Sequence, residues 1–387
     1  MNYPYEIRIL CDILLCTLTH KKIRDDISFD AGILERIIRS QGITLSVYPA
    51  LKSFNSGSLH ELRERLTGQY YADLAQTIRQ QSEGAELLDA LEENHIDHIA
   101  VKGWVMKKLY PEPTYRNMSD IDILVRDYDY NIISDIMAQK GYTSECESSW
   151  MHDTFLKGKI NIEMHKRLTD DSGVICRWER SMWEHARLAE GKKHEYLMSD
   201  EDYLIFHMIH MHKDYVNGSL GLRRLLDLWY YLQVKKGRLD SKYLNETFRE
   251  MKLFTFVKKM TDLSRSLFGS RPLDDDGRIL IGYIAENGIY GTERTYKLGR
   301  MVSRSASSKL LGKIRSFTDA IFLPWDRMKA HFPILRKYPV LLPVMWMRRI
   351  LGHLRHADKY VSKLNYSNIS DSDYQKMKKI FKAGGIL

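Results

Sequence analysis

The sequence predicts an α+β protein: a small mixed or antiparallel sheet core with its own helices, flanked by N-terminal and C-terminal helical regions. Three observations predict it. Apolar residues recur at helical spacing through residues 5–95, short β-like runs gather between 96 and 172, and helical spacing returns after about 175. With 387 residues, 44% hydrophobic and 28% charged, the chain has material for an ordinary core and for more than one substructure.

Taken in order, MNYPYEIRILCDILLCTLTH reads briefly like the apolar part of a secretion signal. Glu6, Arg8 and Asp12 interrupt it, and neither a basic lead nor a small-residue cleavage site flanks it, so a first amphipathic helix is expected. ILERIIRSQGITLSVYPALKSF has helical spacing broken at Gly42. SLHELRERLTGQYYADLAQTIRQQSEGAELLDALEENH then gives one long or two consecutive helices, with Ser58 as the expected N-cap. IDHIAVK is a short strand, Gly103 opens a short helix to Tyr110, and PEPTYRNMS is a loop. DIDILV is the next strand. DYDYNIISDIMAQKGY is a helix ending at Gly141, with Asp127 and Asp129 at its start, where acids favour the positive end of the dipole. YTSECESSW, HDTFLKG and KINIEMHKRL are candidate antiparallel strands, and WERSMWEHARL, SDEDYLIFHMIHMHKDYV and LRRLLDLWYYLQVKK are helices. Four regions result: helical 1–95, a core at 96–172, a helical region at 173–300 closing a cleft, and a basic, partly amphipathic helical region at 301–387.

The core contains an unusual strand. In RNMSDIDILV, alternation puts Asp120 and Asp122 on one face and Ile121 and Ile123 on the other. Two like charges side by side repel unless they meet open water or a cation. KINIEMHKRL adds a third carboxylate: Ile160, Ile162 and Met164 share one face, while Asn161, Glu163 and His165 share the other. Three acids from two strands near a glycine-led turn make a cage for two divalent ions, suited to phosphoryl or nucleotidyl transfer. Hard oxygen ligands and substrate phosphates favour Mg²⁺, with Mn²⁺ as the substitute.

VKGWVMKKLYPEPTYRNMSDIDILV resembles the hallmark of the nucleotidyltransferase-fold superfamily (DNA polymerase β-like). The likeness is to its branch of large, mostly uncharacterised bacterial proteins. That branch carries Leu-Lys-Gly followed by Arg-x-x-x-Asp-hydrophobic-Asp-hydrophobic-hydrophobic-Val. Lys102 and Gly103 match its Lys-Gly, Arg116 its Arg, and Asp120 and Asp122 its metal-binding pair. IEMHKRL resembles its acidic-x-His strand, which makes Glu163 the third catalytic carboxylate. EDYLIFHMIHMHKD through LRRLLDLWYYL is similar to the helical segment after the core of such proteins, and FPILRKYPVLLPVMWMRRI to their C-terminal stretch. The usual Gly-Ser phosphate turn is Lys-Gly-Trp in this chain, so the resemblance gives the phosphate role to Lys102 or to backbone amides. Ser119 stands where the branch often has Gly. The resemblance implies an NTP as substrate, bound with the help of Lys102, Gly103, Arg116, Ser119 and His165, an unidentified acceptor, and His165 either orienting that acceptor or supporting Glu163.

His207, His210 and His212 of HMIHMHKD invite a zinc reading, but on a helix His212 is turned about 200° from His210, and no cysteine pair is near. His210 and Lys213 share a face and are expected either to line the nucleotide or acceptor cleft or to serve the junction of core and helices. Arg223 and Asp227 are spaced for an i,i+4 salt bridge, which leaves Arg224 to reach a phosphate.

Charge is distributed unevenly. Residues 301–387 hold 17 Lys/Arg against 5 Asp, a net of +12, which leaves −3 for the first 300. YPVLLPVMWM lies between Arg336-Lys337 and Arg348-Arg349 and is too short to span a bilayer. That block suits a membrane surface, a groove for RNA, or an amphipathic helix packed on the body. Cys11, Cys16, Cys146 and Cys176 have no paired spacing, so a cytoplasmic protein is expected, with a peripheral position at a membrane left open. Three classes of function compete: a metal-dependent nucleotidyltransferase, a catalytically inactive module of the same fold that binds or scaffolds, and a glycosyltransferase using Asp-x-Asp. The last normally needs a nucleotide-binding α/β half before its Asp-x-Asp, where this chain reads as helical.

Overall fold

The computed structural model of the protein describes residues 4–19, 23, 27–145, 151–169, 173–269, 271–305, 307–323, 325, 328–329, 332–354 and 369–387. The early helical spacing becomes α1 (Pro4–Thr19), α2 (Ala31–Gln41), α3 (Thr44–Leu51) and α4 (Gly57–Glu93). Asp30 caps α2 by accepting from the Ile33 N–H, and Gly42 ends it at φ +58°, a left-handed conformation free of steric cost only for glycine. Ser58 is not the N-cap expected: α4 starts at Gly57, and the Ser58 hydroxyl instead accepts from the Phe29 N–H.

The long helix α4 serves two cores. Leu59, Leu62, Leu66 and Tyr70 belong to the large helical core, whereas Leu87, Leu88 and Leu91 pack under the sheet with Ile121, Ile123 and Ile162. The Trp104 ring crosses α4 at Gly84, where any Cβ would collide with it.

The sheet is mixed. Its strands are β1 (His98–Ala100), β2 (Ile121–Val125), β3 (Thr143–Ser144), β4 (His152–Lys157) and β5 (Ile160–His165), in spatial order β1-β2-β5-β4-β3. Neighbours pair antiparallel except β2 and β5, which run parallel. The two-residue turn Gly158-Lys159 joins β4 to β5, with Gly158 at φ +62°. Beyond Glu145 the YTSECESSW run lies outside the described residues. Helix α5 (Gly103–Lys107) follows β1, and α6 (Tyr130–Gln139) follows β2, capped by Asp129.

On the other face of β2, Leu124 joins the large helical core, to which α7 (Val174–His185), α8 (Asp200–Asn217) and α9 (Leu222–Val234) contribute. The Tyr203 hydroxyl of α8 donates to the Lys102 carbonyl at 2.9 Å. The chain's last helix, Asp371–Ala383, belongs to the main body: Phe381 is fully buried in the large core, and the Tyr215 hydroxyl donates to the Ile380 carbonyl at 2.6 Å. Met328, Leu335 and Met345 form a small third cluster, with Met345 contributed by the helix Leu342–Leu354. Among the described residues, no helix is long and apolar enough to cross a membrane.

Candidate metal and nucleotide site

The parallel pairing of β2 with β5 sets Asp122 opposite Glu163. Both side chains use the face left free by Ile121 and Ile162, so the two carboxylates lie side by side. Asp120, one residue before β2, completes the group: ligand atoms of Asp120, Asp122 and Glu163 all lie within 4.8 Å of one another. The Ser119 hydroxyl donates to Asp120 Oδ1. Two protein cations are drawn onto the carboxylates. Lys102 Nζ donates to Asp122 Oδ1 and stands 3.8 Å from Glu163 Oε2. His165 Nε2 lies 2.8 Å from the same Asp122 oxygen and 3.3 Å from Glu163 Oε2. An all-carboxylate oxygen set of this spacing fits a hard divalent cation such as Mg²⁺ or Mn²⁺.

The electrostatics follow from this crowding. Burial alone would raise the Glu163 carboxyl, but the His165 hydrogen bond and the Lys102 charge outweigh it and hold Glu163 down at about 2. Burial opposes the charge on Lys102, yet Asp122, Asp120 and Glu163 together push its affinity for a proton up. His165 is likewise raised: burial opposes it, and its bonds to Asp122 and Glu163 prevail.

The Lys102-Gly103 turn has a steric logic. Lys102 adopts φ +49°, a region that costs a non-glycine residue energy. Around it, the Val101 N–H donates to the Asp122 carbonyl at 3.0 Å and Tyr203 holds the Lys102 carbonyl. At Gly103 a Cβ would stand 2.6 Å from Arg116 Nη1 and 2.8 Å from Met118 Cγ, so no larger residue fits without a shift.

Lys102, Gly103, Ser119, Asp120 and Asp122 line one side of a cleft of about 520 Å³, and Arg223 and Arg224 of α9 line another. Arg39 of α2 and Gln69 and Asp73 of α4 also line it. Arg116, expected to hold nucleotide, borders the cleft but spends its guanidinium elsewhere. Its Nε and Nη2 donate to the buried Asp227 carboxylate at 3.1 and 2.8 Å, where the Tyr110 hydroxyl also donates at 2.8 Å. The Arg223–Asp227 pair expected from spacing is therefore not formed, because Arg116 occupies that carboxylate. Arg223 donates to Asn117 Oδ1 at 3.1 Å and has no carboxylate in ion-pair range among the described residues. Burial, then the neighbouring Arg116 charge, pulls it down to about 10. Arg224 pairs with Asp214 at 3.0 Å.

His210 and Lys213 line a second, smaller cavity of about 110 Å³ with Leu168, Thr169 and Ile175. The His210 imidazole is held well below its ordinary value, by burial first and then by Lys102. The histidines of HMIHMHKD do not converge: His207 Nε2 donates to the Arg224 carbonyl at 3.2 Å, and His212 packs edge-on to Phe256. One residue escaped the sequence reading. His152 faces His165 across β4 and β5, their ring centroids 5.0 Å apart. The signal was there: a two-residue turn at Gly158-Lys159 pairs 157 with 160, and counting outward pairs 152 with 165.

A mixed five-stranded sheet with Asp-x-Asp leading one strand and Glu on its parallel neighbour defines a nucleotidyltransferase-type core. Residues 28–269, more than half of the chain, match the model of a family described as uncharacterised nucleotidyltransferase. The chain belongs to that family. No curated protein and no solved structure matches it.

Proposed function

We propose that the protein transfers a nucleoside monophosphate from an NTP to an acceptor, with release of pyrophosphate. The observation that carries this reading is the convergence of Asp120, Asp122 and Glu163 beside a cleft whose other walls bring Lys102, Arg223 and Arg224. Asp120, Asp122 and Glu163 would hold Mg²⁺ or Mn²⁺, which when bound neutralises phosphate charge and lowers the barrier to displacement at phosphorus. Lys102 and the Gly103 backbone lie where the phosphates of the NTP would meet the protein, and Ser119 fixes the Asp120 carboxylate. Arg223, half-buried and with no carboxylate in ion-pair range among the described residues, is available to an anionic group. His165 holds Asp122 and Glu163 in place through Nε2. The acceptor oxygen or nitrogen forms its bond to the α-phosphorus as the bond to the pyrophosphate oxygen breaks. Transfer of α-phosphate label from an NTP, lost in Asp120→Ala/Asp122→Ala, is the test.

One observation favours a second reading, a catalytically inactive module of the same fold. Lys102 already neutralises Asp122, so part of the carboxylate charge is balanced without a metal ion. In that case label transfer is absent from folded protein while the fold persists.

The C-terminal region extends the proposal to a partner. Val340, Val344, Met347 and Leu351 are 82%, 55%, 62% and 58% exposed, and Arg336, Lys337, Arg348 and Arg349 flank them in the chain. Exposed apolar side chains among basic ones suit an anionic membrane surface, where RNA would need only the charge. These exposed residues support a peripheral position on such a surface as part of the proposal.

A further inference from the structure

We propose that Glu163, His165 and His152 form a second cation set beside the carboxylate trio, one that takes a divalent transition ion such as Mn²⁺, Co²⁺ or Zn²⁺. The inference rests on the metal-dependent reading above and deepens it by giving the site an imidazole-bearing half.

Three features of the cluster carry it. First, ligand atoms of His152, Glu163 and His165 lie within 4.8 Å of one another, the same closeness as in the carboxylate trio, with Glu163 common to both sets. The two glutamate oxygens divide the work: Oε2 is 3.3 Å from His165 Nε2, and Oε1 is 3.9 Å from His152 Nε2. The 3.9 Å separation is too long for a hydrogen bond, and both separations match ligand atoms about 2 Å from a shared ion.

Second, the tautomer of His165 is set by its surroundings. Its Nδ1 lies 3.3 Å from the Arg167 carbonyl, which can only accept. A proton on Nδ1 leaves the Nε2 lone pair facing Asp122 Oδ1 and Glu163 Oε2, three acceptors turned on one another. In the metal-free protein a second proton fills that place, which is how His165 holds both carboxylates, and a divalent ion bound there would displace it. Donation of the remote nitrogen to a backbone carbonyl is also how metal-bound histidines are oriented.

Third, among the described residues nothing else hydrogen-bonds the His152 imidazole. Its Nδ1 is buried with no hydrogen-bond partner among the described residues, and its Nε2 is too far from Glu163 to bond it directly. The side chains of His152 and Glu163 are 28% and 19% exposed, so an ion has a way in. Two imidazoles and one carboxylate favour later first-row ions over Mg²⁺, which prefers oxygen alone. Two divalent ions would also be balanced: the three carboxylates and a triphosphate supply ample negative charge.

The test is Mn²⁺ titration of the full chain, counting bound ions and recording pulsed electron paramagnetic resonance for coupling to nitrogen. Two ions per chain are expected, one of them coupled to imidazole nitrogen. His152→Ala should weaken that ion by about tenfold or more, since even outer-shell partners of a metal are worth 10–100-fold. His152→Gln, closer in size, checks that a loss is not local collapse and should show the same loss. Asp120→Asn should weaken the other ion and leave the nitrogen-coupled one. One ion per chain with oxygen ligands only would overturn the second set and leave nucleotidyl transfer standing. No bound ion, with or without NTP, would overturn both.

Discussion

Arg116 shows how a motif residue is divided between chemistry and architecture. It sits four residues before Asp120, yet its guanidinium is locked onto Asp227, 111 positions further along the chain. Breaking a buried ion pair by removing one partner leaves an uncompensated charge, whereas replacing both with apolar residues avoids that penalty. Arg116→Met alone should therefore cost roughly 3–5 kcal/mol of stability, and Arg116→Met/Asp227→Leu much less, measured by denaturant unfolding. If the double variant keeps NTP affinity, the arginine is architectural; if affinity falls in a stable protein, it also touches nucleotide. The carboxylate trio was legible because strand alternation is a strictly local rule, applied to Asp120, Asp122 and Glu163 one strand at a time. The partner of Arg116 was not legible. Local spacing offered Asp227 to Arg223, and only the packing of α9 against the loop before β2 reassigns it.

At the scale of elements, periodicity located the strands and most helices well, because each buries one face on a core. The β4–β5 hairpin was placed as two strands but not registered, so His152 went unnoticed. Helix α4 could be read as one helix or two; its continuity depends on serving two cores, a tertiary fact. The basic helix Leu342–Leu354 and the turn before it present an apolar edge that nothing in the described protein covers. In flotation with vesicles containing anionic lipid, the protein should rise with the membrane, and less so at high salt. Met347→Glu/Leu351→Glu should abolish flotation while neutral vesicles bind neither form. Equal flotation of the variant would remove the membrane assignment.

Over the whole molecule, the cleft is walled by elements from distant stretches: α2 and α4 before the sheet, the strand ends themselves, and α9 after it. A site assembled this way links its charge state to folding. Glu163 gives up its proton at about 2 in the folded protein against an ordinary 4.5. Between those values the unfolded chain binds more protons, so stability is fully present above about 4.5 and falls as pH is lowered through that window. Glu163→Gln removes this contribution, and its unfolding free energy, followed by denaturant titration at each pH, should decline less steeply there. An unchanged slope would mean that the His165 and Lys102 contacts do not persist in solution.

The most direct test of the central claim is label transfer from each α-³²P NTP with Mg²⁺ or Mn²⁺ in host-cell lysate, separated into protein, RNA and small-molecule fractions. The account predicts label in one fraction, with pyrophosphate released, only when both the divalent ion and the intact Asp120/Asp122 pair are present. Folded, intact protein that labels nothing, or labels equally well as Asp120→Ala/Asp122→Ala, would contradict it.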